Sequence, residues 1–270
     1  MTLLEVLVSA ALSVVLSGAV LSLVVAGQQI ARTQPESLDL QQRARVVLQV
    51  LARELRDGGA GMEHGELAGS LARYFPPIAP SADGGITVWR TTNPHAQGTL
   101  AAGVVPGATT ITLEDSPVCP SGQAACGFSA GANALAFTPA GCRTVLRVAA
   151  VYQSTVDAAA PLSGCGLDAG AALAEGEVRT YRVDAAARQL VRRDEATGSS
   201  APLIDGVAAL TMTFFADAAG TSAIGCTSDA EVIRARRVRL TLHLVASNPL
   251  LHVPDLSVIV DSVPRNLQGG

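Results

Sequence analysis

The chain has 270 residues, 49% of them apolar in type and only 3% aromatic, with a formal net charge of −4 and a pI near 5.6. That balance excludes nucleic acid as the main partner, because holding a phosphate backbone needs a basic face. The length leaves room for one large or two small domains beyond any anchor.

Residues 1–31 carry a single charge, Glu5, and residues 6–31 carry none. About 20 apolar residues cross a bilayer as a helix, so this segment predicts a membrane span. A carboxylate in such a span costs ~2.5–3.5 kcal/mol on insertion scales unless something pairs with it. No basic side chain occurs before Arg32, which leaves the α-amino group of Met1 as the nearest cation. In a stack of copies with an axial stagger, the Glu5 of one chain meets the Met1 amine of the next and both charges are neutralised. A secretory signal peptide would need a basic n-region, which is missing; an ordinary signal anchor is the other reading of the same stretch.

At Thr33-Gln34-Pro35-Glu36 the sequence has the form of a capping box, and Pro35 lacks a backbone donor, so the helix is expected to kink or locally unwind around residues 31–35. Beyond it, Leu40, Ala44, Val47, Leu48, Leu51 and Leu55 form one apolar stripe. Arg43, Gln49, Arg53 and Arg56 are assigned to the opposite, wet face, with Asp39 four residues before Arg43 for an ion pair. Gly58-Gly59 ends the helix. Continuous at 1.5 Å per residue, it is about 85 Å long.

From residue 58 to 85 the chain is rich in Gly and Pro and reads as mostly loop. Strand patterns follow at 86–90, 109–114, 134–138, 144–152, 177–183, 189–193, 206–216 and 232–246, with no helical pattern between them, which predicts an antiparallel sheet. The 210–216 run turns near Asp217 to Gly220 and is answered by 237–245. There Val238, Leu240, Leu242 and Leu244 line the core face, and Arg237, Arg239, Thr241 and His243 the other.

Five Cys occupy positions 119, 126, 142, 165 and 226. An exported body would meet an oxidising compartment, where such residues pair. The preferred pairs are neighbours, Cys119 with Cys126 and Cys142 with Cys165, because each pair flanks a Gly/Ser/Pro-rich loop; Cys226 is left over.

The opening Thr2-Leu3-Leu4-Glu5-Val6-Leu7-Val8-Ser9-Ala10 resembles the mature start of type IV pilins and type II secretion pseudopilins. In that family a prepilin peptidase cuts after a Gly just before residue 1 and N-methylates the new terminus, and a glutamate at the fifth place is the hallmark. Residue 1 is Met here where most members have Phe; the resemblance implies a chain numbered from its mature terminus. Leu190-Val191-Arg192-Arg193, then residues 202–210, then the Arg236-to-Leu240 strand are similar in order to the C-terminal half of large minor pilins of the PilW type and of J-type pseudopilins. Residues 60–176 carry no such likeness.

No catalytic motif is present: there is no Gly-x-Ser-x-Gly, His-Glu-x-x-His or P-loop. Met62-Glu63-His64-Gly65-Glu66 is read as solvated charge rather than a metal site, His243 as an ordinary strand histidine, and Asp83-Gly84-Gly85 and 217–220 as turns. The cluster Arg234, Arg236, Arg237 and Arg239 reads as solubilising charge, with an acidic partner or lipid headgroups as the alternative, and Trp89 as core.

The expected architecture is therefore α+β and pilin-like. A long kinked N-terminal helix, 1–57, comprises a transmembrane and assembly half (1–31) and an amphipathic half (32–57), and packs on an antiparallel β-rich head, 58–270. The resemblance implies a non-enzymatic minor pilin without metal or cofactor, placed in the inner membrane and then in the filament at the cell surface. Its partners would be other pilin subunits, the prepilin peptidase, the inner-membrane assembly platform and, before assembly, membrane lipid. A J-type pseudopilin is the nearer alternative, and an anchored periplasmic binding domain the more distant one.

Overall fold

The computed structural model describes residues 2–60, 77–93, 95–115, 119–138, 142–225, 231–232 and 234–263. One α-helix, α1 (Leu3–Asp57), takes the first fifth of the chain as a single run of 55 residues. Among the described residues fourteen strands follow: β1 (Ile78–Pro80), β2 (Ile86–Thr91), β3 (Gln97–Thr99), β4 (Thr110–Thr112), β5 (Asn133–Phe137), β6 (Arg143–Val151) and β7 (Thr155–Ala158) in the first part of the head. The second part holds β8 (Ala172–Asp184), β9 (Gln189–Asp194), β10 (Ser200–Asp205), β11 (Val207–Phe215), β12 (Ala223–Ile224), β13 (Arg237–Leu244) and β14 (Leu256–Ser262).

The helix continues through Pro35, so the expected unwinding does not occur. Thr33 is a mid-helix residue whose hydroxyl donates back to the carbonyls of Gln29 and Ile30, at 3.1 and 3.3 Å. Glu36 does not fold back to cap it; its carboxylate accepts the Ser247 N–H of the head. Proline still removes one helical donor, at about 3 kcal/mol in a helix interior, and the turn that follows is already fastened to the head.

The apolar stripe is where its spacing puts it. Leu40, Ala44, Val47, Leu51 and Leu55 are buried, and burying each of the large ones stabilises docking by about 1.5–3 kcal/mol. They meet side chains from both parts of the head, including Ile78, Ile86, Tyr181, Leu190, Val207, Phe214, Leu240 and Val258, in one continuous core.

The strands form two antiparallel sheets rather than one. A ten-stranded sheet runs β1-β2-β8-β5-β6-β7-β4, with β3 and β9 also on β8 and β10 on β9. A four-stranded sheet runs β12-β11-β13-β14. The chain passes from the first to the second at Gly206, whose φ of 73° is left-handed. A Cβ there would fall 2.7 Å from the Val245 carbonyl and 2.4 Å from the Arg43 guanidinium, so glycine is what lets the two sheets part between Asp205 and Val207.

In the second sheet, β13 alternates as its sequence predicts, with Val238, Leu240, Leu242 and Leu244 fully buried. Its partner β11 runs in register from Phe215 opposite Arg237 to Leu210 opposite Leu242. Val232, at the start of the expected 232–246 strand, is helical, and β13 begins only at Arg237.

Residues 97–173 build a second core of their own from Leu100, Ile111, Leu113, Phe128, Leu146, Val156 and Leu173. Both expected disulfides form at its rim, Cys119 to Cys126 and Cys142 to Cys165. They span 7 and 23 residues of sequence, the short loops that neighbour pairing implies.

Candidate membrane and assembly segment

Every residue from Thr2 to Arg32 is exposed. Leu3, Leu4, Val14, Val15, Leu21 and Leu23 each present more than 60% of their surface, an apolar area far beyond what a soluble monomer leaves bare. The segment is long and apolar enough to cross a membrane. Three of its serines need no water either: the hydroxyls of Ser9, Ser13 and Ser22 donate to the carbonyls of Val6, Ser9 and Ala19 at 2.8–3.0 Å. Serines satisfied along their own helix suit a hydrocarbon or a close-packed bundle equally well.

Glu5 lies at the third helical position, in the first turn, with Thr2 as the N-cap. Its Oε2 accepts the Thr2 N–H at 2.9 Å, the return arm of a capping box. The acid thus has a partner within its own chain, and the positive end of the helix favours its charge. The Thr2-Leu3-Leu4-Glu5 spacing announces this box as plainly as Thr33-to-Glu36 does. Only the first is real, because only there does the helix begin. Met1 lies outside the described residues, as do Cys226 and the Met62-to-Glu66 run.

Two polar clamps hold the other half of α1 on the head. In the first, Arg43 pairs with Asp39, lies 3.6 Å from Glu36, and donates to the Ser247 hydroxyl at 2.9 Å and the Asp205 carbonyl at 3.3 Å. Arg43 is therefore a docking residue, contrary to its assignment to the wet face; its long stem reaches around the helix to the head.

The second clamp is buried near the helix end. Glu54 is only 9% exposed and meets Arg179 of β8 at 2.8 Å. Arg179 also reaches Glu177 at 2.6 Å, and Glu177 accepts Arg90 of β2. Burial alone would lower the pKa of Arg179, but the charges of Glu54 and Glu177 outweigh it and raise it. The Tyr181 hydroxyl beside them is fully buried; desolvation first, then the charge of Glu54, pushes its pKa well up.

Of the expected arginine cluster, Arg237 and Arg239 both bind Asp261 of β14, at 2.9 and 2.8 Å, and Arg239 stacks over Phe215 at 5.1 Å. The Arg237 hydrogen bond, with help from Arg239, holds the Asp261 carboxyl below its usual range despite partial burial. Trp89 is buried, with the Arg143 guanidinium 5.5 Å above its ring. His243 is exposed, its Nδ1 3.0 Å from the Ser257 hydroxyl. Among the described residues, no group of three or more His, Cys, Asp or Glu is placed to hold a metal.

The 217–220 turn behaves as a turn. Asp217 accepts the N–H groups of Thr221 and Ser222, and these bonds lower its pKa from 3.8 to about 2. A depressed carboxylate pKa gives stability that is present above the ordinary value and lost as pH falls toward the folded one. An Asp217→Asn variant should accordingly lose less stability than the parent on acidification across that window, read as urea midpoints; parallel acid limbs would contradict this role for the turn.

Comparisons with protein-family models, curated proteins and solved structures find no match for this chain.

Proposed function

We propose that the protein is a minor pilin: a subunit held in the inner membrane by residues 3–31, with its head exported, and drawn into a type IV filament by bundling of those same helices. One observation carries this reading. A single unbroken helix is locked to a head along its second half, while its first half is exposed and largely apolar, with one carboxylate in the opening turn as its sole charge before Arg32.

Bundling removes that surface from water or lipid, and the Glu5 charge sets the register. The capping bond from Thr2 satisfies one oxygen of Glu5 but leaves its negative charge in place. The terminal amine of a neighbouring copy supplies the countercharge, which matters most in a low-dielectric bundle. Prepilin peptidase and the inner-membrane assembly platform are the partners this route requires. The head, large beside its anchor, suits a subunit that starts or tips the fibre rather than one that repeats along it.

Mass spectrometry of the purified protein tests this directly, together with analysis of sheared surface filaments. We expect an N-methyl group on residue 1 and the chain in the filament fraction at low abundance. Recovery with a secretion apparatus instead would favour a J-type pseudopilin. A longer, unmethylated front end on a protein that never accompanies fibres would overturn both, in favour of an anchored periplasmic domain.

A further inference from the structure

The most exposed large apolar side chain among the described residues is not on the helix but on the head. Leu250 presents 82% of its surface, from the short 3-10 turn Pro249–Leu251 that joins β13 to β14. A lone exposed leucine is ordinary; its mounting is not.

The turn is built rigidly. Asn248 caps it, its Oδ1 accepting the Leu250 N–H at 3.0 Å, and the Asn248 carbonyl accepts the Leu251 N–H at 3.2 Å. His252 ends it in the left-handed region, at φ 49°. One residue upstream, Ser247 is fastened to α1 by Glu36 and Arg43.

From that fastening the turn reaches down the helix. Leu250, Leu251 and His252 face Val25, Gln28 and Arg32 across a cavity of about 270 Å³. Val25 is eleven residues below Glu36, about 16 Å along the axis. Residues 6–31 rise about 39 Å, against about 30 Å for the hydrocarbon layer and 40–45 Å with both headgroup zones. With Glu5 and Arg32 at the two faces, the hydrocarbon boundary falls about 5–7.5 Å below Arg32, near Gln28, so the turn facing Val25 to Arg32 straddles that boundary.

We propose that the 248–252 turn is a second membrane contact, placing Leu250 at the acyl boundary of the exported face while Arg32 meets lipid phosphate. The proposal rests on residues 3–31 being a membrane span. A short apolar insertion beside a cation is the pattern of interfacial anchoring. It fixes the rotation of α1 about its own axis before assembly, since only one side of the helix carries the turn. Lipid is favoured over a neighbouring subunit because the turn continues the apolar surface of the span and lies level with the first cation above it.

The test uses the full chain in vesicles of phosphatidylcholine and phosphatidylglycerol, in a Cys226→Ser background. An environment-sensitive fluorophore is placed at Leu250→Cys, Val15→Cys or Val105→Cys. Val105 is an exposed head residue beside Val104 of the second core, and so controls for the label's own greasiness. The label at 250 should shift to the blue and lose emission to lipids carrying a shallow nitroxide. The label at 15 should be quenched by a deep nitroxide, and that at 105 by neither. If 15 is quenched and 250 behaves like 105, the second contact is wrong while the span stands; cross-linking of 250 to another subunit in filaments would then assign the turn to that interface. If 15 is not quenched, the span and the second contact fall together.

Discussion

On the proposed pilin reading, replacing Glu5 by Leu should leave the protein in the membrane and remove it from the filament. Insertion becomes easier, by up to ~3 kcal/mol, because a charge has been taken out of the span. Assembly as proposed would lose its register, because nothing would then answer the amine of the neighbouring copy. Glu5→Gln separates the two roles of this side chain. An amide oxygen still accepts the Thr2 N–H, so the cap and its ~0.5–2 kcal/mol survive. The charge does not. Gln should therefore fail in filament pull-down as completely as Leu, while helix content in detergent follows the parent. Incorporation of the Gln variant at the parent's level would reduce Glu5 to a helix cap and leave bundling to apolar contact alone.

Arg179→Met should destabilise the head by about 3–5 kcal/mol, the cost of leaving a buried carboxylate without its cation. Glu54 loses its one ion-pair partner among the described residues, whereas Glu177 keeps Arg90. Pairing the change with Glu54→Leu should restore much of the loss, since a matched apolar pair needs no desolvation of charge. Denaturant midpoints of the two single variants and the double close the cycle. A single Arg179→Met cost below about 1 kcal/mol would mean that water reaches Glu54 and that the clamp behaves as a surface pair.

These two sites were unequally legible in the sequence. Glu5 stands out because a charge inside an apolar run is conspicuous at any reading. Glu54 does not: it sits between Leu51 and Leu55 on the buried stripe, where periodicity predicts burial but residue type argues against it. Its partner is 125 positions away, beyond the reach of a local pattern. Arg43 was misplaced for the related reason that a long side chain can leave the face its Cα occupies.

The strand β14 could have been found. Its Leu256, Val258 and Val260 alternate as β13 does, and Val258 and Val260 are buried against it. The preceding Pro249 and Pro254 interrupt the alternation, since proline cannot donate to a strand ladder. The division into two sheets had no such signal. It depends on the left-handed turn at one glycine, Gly206, among 26 in the chain. The disulfides were legible because short sequence separation and flanking turn residues favour closure between neighbours. Thr33 misled because a capping motif acts only where a helix starts.

The core beneath α1 belongs to neither sheet alone. Side chains of the helix are wedged between the two, and the sheets separate at the very glycine against which Arg43 lies. Peeling the helix away would strip the keystone from an arch, so that its detachment and the melting of the β-structure around it form one cooperative event. A load pulling on the N-terminal rod is thereby resisted by the folding cooperativity of the body it is attached to, with no weaker joint between the two.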